Sequence, residues 1–145
     1  MKKISIITSK KYLKSKQNES LIEILKSNNI EYEIVNIDGI KITNKKISNS
    51  DLIISVGGDG TALRAMKIAW LSDLPVLNIG SGRIGYLVNS INDIDFNKIL
   101  KVKSPNKIKK RTPIIQNEDQ KFPAFNEIVI IKNSPTRILD IEPVS

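Results

Sequence analysis

One segment of this sequence combines residue types that do chemistry at a spacing that allows it: Val56-Gly57-Gly58-Asp59-Gly60-Thr61. Glycines let the backbone come close to a phosphate and adopt angles that other residues avoid. A helix is expected to begin at Thr61, so its unpaired N–H groups and its dipole would face the turn, an arrangement that suits a polyphosphate. Asp59 does not fit that picture by itself, because a carboxylate repels phosphate unless it has a task. Two tasks are chemically open to it: holding Mg2+, or accepting a proton from an attacking hydroxyl. The alternative is an ordinary Gly/Asp turn with an N-cap.

The rest of the composition narrows the chemistry. The 145 residues include no Cys and no His. That excludes a disulfide framework, a thiolate nucleophile, a Cys/His zinc site and a Ser-His-Asp triad. Proton transfer is left to Asp, Glu, Lys or Tyr. The 23 Lys+Arg against 15 Asp+Glu leave a formal charge of +8, which favours anionic partners without choosing among them. The excess is mostly lysine, since the arginines are Arg64, Arg83, Arg111 and Arg137. No apolar run approaches the ~20 residues that cross a bilayer. A cytoplasmic protein without membrane or nucleic-acid partners is expected.

The elements that must position the turn can be read from periodicity. Lys3–Thr8 alternates and is β-rich, and Glu31–Ile37 reads as a second strand. Between them, Ser9–Gln17 reads as a loop. Ser20 and Glu23 then have capping-box spacing ahead of a helix whose Leu21, Ile24 and Leu25 share a face. Leu52–Val56 and Pro75–Ile79 are short apolar runs of the kind that lie buried on both faces of a parallel sheet, and both lead into glycine. In the helix from Thr61, Leu63, Met66 and Trp70 are expected to form the apolar face. Asp93–Leu100 reads as a short helix. Strand, helix, strand with glycine at the strand ends is the α/β pattern. Lys101–Arg111 is strongly basic and holds the turn Ser104-Pro105-Asn106, so a boundary is placed there. It has no aromatic residue to stack on bases and reads as a solvated linker. Thr112–Gln116, Ala124–Lys132 and Arg137–Glu142 beyond it are strand-like.

Three blocks together resemble one family. Gly57-Gly58-Asp59-Gly60-Thr61 is similar to the GGDGT signature of NAD kinases, which diacylglycerol-type lipid kinases and, with variation, phosphofructokinases share. Pro75-Val76-Leu77-Asn78-Ile79-Gly80 with Gly82-Arg83-Ile84-Gly85-Tyr86-Leu87 resembles the NAD-kinase pair "P-V-L-G-I-N" and "G-x-L-G-F-L". Ala124-Phe125-Asn126-Glu127-Ile128-Val129-Ile130 resembles its "A-L-N-E/D-V-V-I" strand. Ser134-Pro135-Thr136-Arg137 and Leu139-Asp140-Ile141-Glu142 resemble the family's segment after that strand. The blocks fall in family order across most of Asp51–Glu142.

The resemblance implies a Rossmann-like α/β domain with a parallel sheet over 1–104, followed by the start of an all-β C-terminal domain over 105–145. It implies transfer of a phosphoryl group from ATP, or polyphosphate, to the 2′-hydroxyl of the adenosine ribose of NAD, with Mg2+ or another divalent cation. Asp59 would be the carboxylate beside that hydroxyl, and Gly57, Gly58, Gly60 and Thr61 would shape the phosphate turn. Tyr86, where the family usually has Phe, would pack on the adenine or ribose, with core packing as its other reading. Asn126 and Glu127 would contact the adenosine and the nicotinamide-side ribose. Arg64, one turn into the helix, reads equally as a phosphate contact or a solvated side chain, and Arg83 is similar. A homo-oligomer is expected.

The role that the resemblance gives Asp59 implies that Asp59→Asn abolishes transfer and leaves NAD binding largely intact. A further family block, "T-A-Y-x-x-S-A-G-G", has no counterpart here, and the sequence is expected to stop in mid-domain after Glu142. A nucleotide-binding fragment without catalysis therefore stands as an alternative, and a lipid or sugar kinase as a third. Gly80-Ser81-Gly82-Arg83-Ile84-Gly85 also fits G-x-G-x-x-G, but that fingerprint needs a helix directly after it, and Tyr86-Leu87-Val88-Asn89-Ser90 is a poor helix start.

Overall fold

A computed structural model describes residues 3–39, 46–82, 85–101, 113–114 and 124–125. The strands are β1 (Lys3–Thr8), β2 (Glu31–Asn36), β3 (Leu52–Gly57) and β4 (Val76–Gly80). The helices are α1 (Lys16–Ser27), α2 (Asp59–Ser72) and α3 (Phe96–Lys101), with 3-10 turns at Lys10–Tyr12 and Ile91–Asp93. The four strands form one parallel sheet in the order β2-β1-β3-β4. Ile4 sits between Tyr32 and Leu52, and Gly57 pairs with Gly80.

Strand alternation divides the core into two layers. Ile4, Ile6, Leu52, Ile54, Val56 and Ile79 point to one face, where Leu21 and Leu25 of α1 and Phe96 and Leu100 of α3 cover them. Ile7 and Ile53 point to the other face and meet Ala65, Ile68 and Ala69 of α2, together with Ile37 and Ile47. The sheet is thus covered on both faces, as parallel sheets require, and every residue of β3 is buried. Two polar side chains on the α2 face satisfy each other: Ser55 Oγ donates to Asn78 Oδ1 at 2.7 Å.

The element boundaries differ from expectation in three informative places. α1 starts a turn early: Ser15, not Ser20, is its N-cap and accepts from the backbone N–H of Asn18. Asn18 is fully buried and its amide donates to Leu13 O, so a buried polar contact fixes the start. α2 also begins early, at Asp59 rather than Thr61. Gly58 is its extended N-cap, and Gly58 O accepts from the N–H groups of Thr61 and Ala62. The apolar face of α2 is different too. Ala62, Ala65, Met66, Ile68 and Ala69 are buried, while Leu63 is only half-buried and Trp70 is 41% exposed. The alanines let the helix lie close on the sheet, and a large Trp would not fit in that seam.

α3 is shorter than the helix read over Asp93–Leu100, which divides into the 3-10 turn Ile91–Asp93 and α3. Residues 85–90 form no helix, in line with the objection to the G-x-G-x-x-G reading. Ile114 and Ala124 make one antiparallel bridge, with N···O distances of 2.7 and 3.0 Å. The boundary near Ser104–Lys107 and the rest of the β-rich stretch over 105–145 lie outside the described residues.

Candidate active site

With this strand order the chain passes from β1 to β2 on one side and returns across β1 to β3 on the other. Ligands of open α/β sheets bind outside the carboxyl ends of the strands where the order reverses. Here that is the crevice between the ends of β1 and β3. Ser9 follows β1, and Gly57 and Gly58 end β3, so the glycine turn lies at this point.

Each residue of the turn is held differently. Gly57 belongs to the strand, and a Cβ on it would come within 2.5 Å of Thr61 Oγ1 and 2.7 Å of Thr61 Cβ. It is glycine because the first turn of α2 folds back onto it, with Thr61 buried. Gly58 has open space except for Tyr12, whose hydroxyl lies 3.8 Å from where a Cβ would be. A Cβ on Gly60 would meet nothing within 4 Å among the described residues, so none of them demands glycine there. Arg64, a turn further along, is exposed.

Asp59 lies in the first turn of α2, where the helix dipole favours a carboxylate. Its side chain reaches across 27 and 28 residues of sequence. Oδ2 accepts from the backbone N–H of Tyr86 at 3.0 Å, and Oδ1 accepts from that of Leu87, also at 3.0 Å. Hydrogen bonds to a charged acceptor contribute roughly 1.5–3 kcal/mol each, with the lower end appropriate where the partner faces water, as Tyr86 does.

The other end of this loop is stitched to β4. Asn89 N–H and its side-chain amide both donate to Asn78 O, and Gly80 N–H donates to Asn89 O. Val88 packs into the notch between Gly80 and Gly85, 3.0 and 2.9 Å from where their Cβ atoms would be. Tyr86 is 97% exposed, so it is not a core residue and its ring is free to meet a ligand.

On the opposite side of the turn is an open cleft of about 300 Å³, lined by Ser9, Tyr12, Ile37, Asp38, Gly58, Gly60, Thr61 and Arg64. Lys10 N–H donates to Asp38 Oδ2, which ties the end of β2 to the 3-10 turn at the cleft rim. The Lys11 ammonium lies 5.2 Å from the centre of the Tyr12 ring. The cleft therefore offers N–H groups of a helix start and a guanidinium at one wall, and an aromatic ring, an aliphatic side chain and a carboxylate at the others.

Of the residues singled out from sequence, Gly57, Gly58, Asp59, Gly60, Thr61, Arg64 and Tyr86 thus meet around one turn. Arg83, Asn126 and Glu127 lie outside the described residues. Ser9, Tyr12, Asp38 and Gly85 were not foreseen. The positions of Ser9 and Asp38 just past the ends of β1 and β2 were the available signal, since that is where such sheets place ligand-facing residues.

Residues 3–102 match the model of the ATP-NAD kinase N-terminal domain. The NAD kinase of Caldicellulosiruptor bescii is 34% identical over 119 residues, covering 80% of this chain and 43% of that protein. The NAD kinase of Flavobacterium psychrophilum is 32% identical over 147 aligned positions, covering 84% and 49%. A bifunctional NADP phosphatase/NAD kinase of Methanocaldococcus jannaschii is 32% identical over 139 positions, covering 91% of this chain and 22% of that protein. The chain thus spans about half or less of the length of these relatives. A domain match over most of the described residues, with the glycine turn at the sheet's switch point, leads to one assignment: the chain belongs to the NAD kinase family.

Proposed function

We propose that this chain carries the α/β half of a site that transfers a phosphoryl group from ATP to the 2′-hydroxyl of the adenosine ribose of NAD. The observation that carries the reading is the Asp59 carboxylate, held against the Tyr86 loop in the first turn of α2, while its chain neighbours Gly58 and Gly60 line the open cleft. NAD is the acceptor on the loop side. Tyr86 packs on its adenosine, and Asp59 orients the 2′-hydroxyl and takes up its proton as the oxygen attacks. A carboxylate has about four lone-pair positions, so the two loop amides leave room for a hydroxyl. Asn126 and Glu127 complete the acceptor contacts in this reading, which for them rests on the resemblance alone.

The donor lies on the cleft side. The N–H groups at the start of α2 and the Arg64 guanidinium suit its phosphates. Gly60, which packing among the described residues does not require, leaves the backbone open to them. A nucleoside donor rather than polyphosphate is favoured by the far wall. Tyr12 and Ile37 offer apolar surface to a base, and Asp38 offers an acceptor to ribose hydroxyls, whereas a polyphosphate chain would gain nothing from that carboxylate.

Among the described residues no group of three possible ligands could hold a metal ion. A divalent cation would fit as one carried in on the donor's phosphates, with Asp59 as a protein ligand. When bound it would offset charge on the transferring group. Positioning of donor and acceptor on the two sides of one turn supplies the remainder.

The test is NADP formation by the purified 145-residue chain given NAD, ATP and Mg2+, read with an NADP-specific dehydrogenase. NADP that accumulates, and ceases to with Asp59→Asn, supports the reading. Bound NAD without any NADP favours the nucleotide-binding alternative for this chain.

A further inference from the structure

The loop side of the turn contains a contact that neither phosphate binding nor proton transfer requires. An Asp in the first turn of a helix is already well placed by the dipole. Asp59 instead spends both carboxylate oxygens on consecutive backbone amides of a distant loop, those of Tyr86 and Leu87. The residue before them is Gly85, and its lack of a side chain is what admits the carboxylate. A Cβ there would overlap Asp59 Oδ1 and lie 2.9 Å from both Asp59 Cγ and Val88 Cγ2. Gly82 is different: it has φ +139, and a Cβ there would meet no described residue, so backbone angle explains that glycine. Gly85 has no such angle, and space alone explains it.

We infer that Asp59 and Gly85 form a latch that sets the Tyr86 loop against the glycine turn, with Gly85 as a positioning residue for the carboxylate. The same contact that assembles the acceptor surface also orients the oxygens that would receive the hydroxyl. This rests on the reading of NAD as acceptor for its functional meaning, though not for its geometry. It also revises what the resemblance implies for Asp59→Asn. An amide has one acceptor oxygen, and its NH2 would confront a backbone N–H, donor against donor. The isosteric change therefore loosens the loop and weakens NAD binding as well as removing the proton acceptor.

The test is backbone amide hydrogen exchange at Tyr86 and Leu87 by NMR in the full chain, for the parent, Asp59→Asn and Gly85→Ala, with an NAD titration of each. Exchange at these amides should be about tenfold faster in both variants, with β1 and β3 amides unchanged, and NAD should bind about tenfold more weakly. Should Gly85→Ala lose protection in β1 and β3 as well, the isosteric Asp59→Asn decides. Unchanged protection of Tyr86 and Leu87 overturns the latch, and if NAD still binds the parent the acceptor reading survives it. Faster exchange with no NAD binding by the parent leaves the latch standing and removes the acceptor reading. Faster exchange with undiminished NAD affinity overturns the positioning role.

Discussion

The two sides of the glycine turn are built in opposite ways. On the β4 side the described contacts tie loop, strand and helix start together. Asp59 holds two loop amides, Asn89 is stitched to Asn78 and Gly80, and Gly57, Gly80 and Gly85 are glycines because neighbouring side chains fill the space. On the β1 side the walls stand apart, a Cβ on Gly60 would meet no described residue, and Arg64 is exposed. The same motif thus contains glycines of two kinds. Gly57 is demanded by the packing of Thr61, and Gly60 by no contact among the described residues. A glycine-rich signature is accordingly not one device, and substitutions within it should separate stability from binding.

The largest effect should come from the bonded side. Asp59→Ala removes both the proposed proton acceptor and the loop contacts, so NADP formation should fall by about 10²–10⁴-fold in a coupled dehydrogenase assay. Retained turnover would remove the carboxylate from the chemistry. Next is Gly57→Ala, whose methyl group meets Thr61 in a buried strand end. Overpacking of this kind costs about 1–3 kcal/mol, which urea denaturation would register.

On the open side the losses should be of binding alone. Arg64→Ala should raise the KM for ATP about tenfold, the scale of one lost hydrogen bond to a charged group. Its urea midpoint should hardly move, because the residue is exposed. Gly60→Ala should sharpen the comparison most economically. It lies in a helix with free space around it, so stability should rise by up to about 0.5–1 kcal/mol while ATP binds less well. A loss of stability there would mean that Gly60 is a fold glycine like Gly57.

The smallest effect lies away from the turn. Asp95 accepts from Lys98 N–H at 3.2 Å and pairs with the Lys98 ammonium at 3.2 Å, ahead of α3. The Lys98 backbone N–H above all, and then its side chain, hold the Asp95 carboxyl below its ordinary value. A depressed carboxylate stabilises the fold above its unfolded pKa, and that contribution is lost as the pH falls through the folded value. Asp95→Asn should slightly flatten the acid limb of a stability profile and leave both sides of the turn unchanged.

Much of this architecture was legible in the residues. β1 shows in its β-rich alternation, β3 and β4 in short apolar runs leading into glycine, and the turn after β3 announces itself. The face of α2 was not legible, because Leu63, Met66 and Trp70 have the size of core residues while the sheet takes the alanines instead. The start of α1 was missed because Ser20 and Glu23 match a capping pattern, whereas the working cap, Ser15, depends on where Asn18 is buried. The Asp59 contact with Tyr86 and Leu87 was the least accessible of all. Its donors are backbone N–H groups, which carry no residue identity, and they come from 27 and 28 positions away. Only Gly85 left a trace, and within a G-x-G-x-x-G pattern it is easily taken for a turn glycine.

The most direct test of a site divided by its turn is a pair of titrations of the full chain, followed through its backbone amide NMR signals. NAD should shift Tyr86 and Leu87, and ATP should shift Tyr12, Gly60 and Arg64, each leaving the other set largely in place. Movement of the same set by both nucleotides would contradict a divided site, as would NAD moving the Tyr12 side and ATP the Tyr86 side.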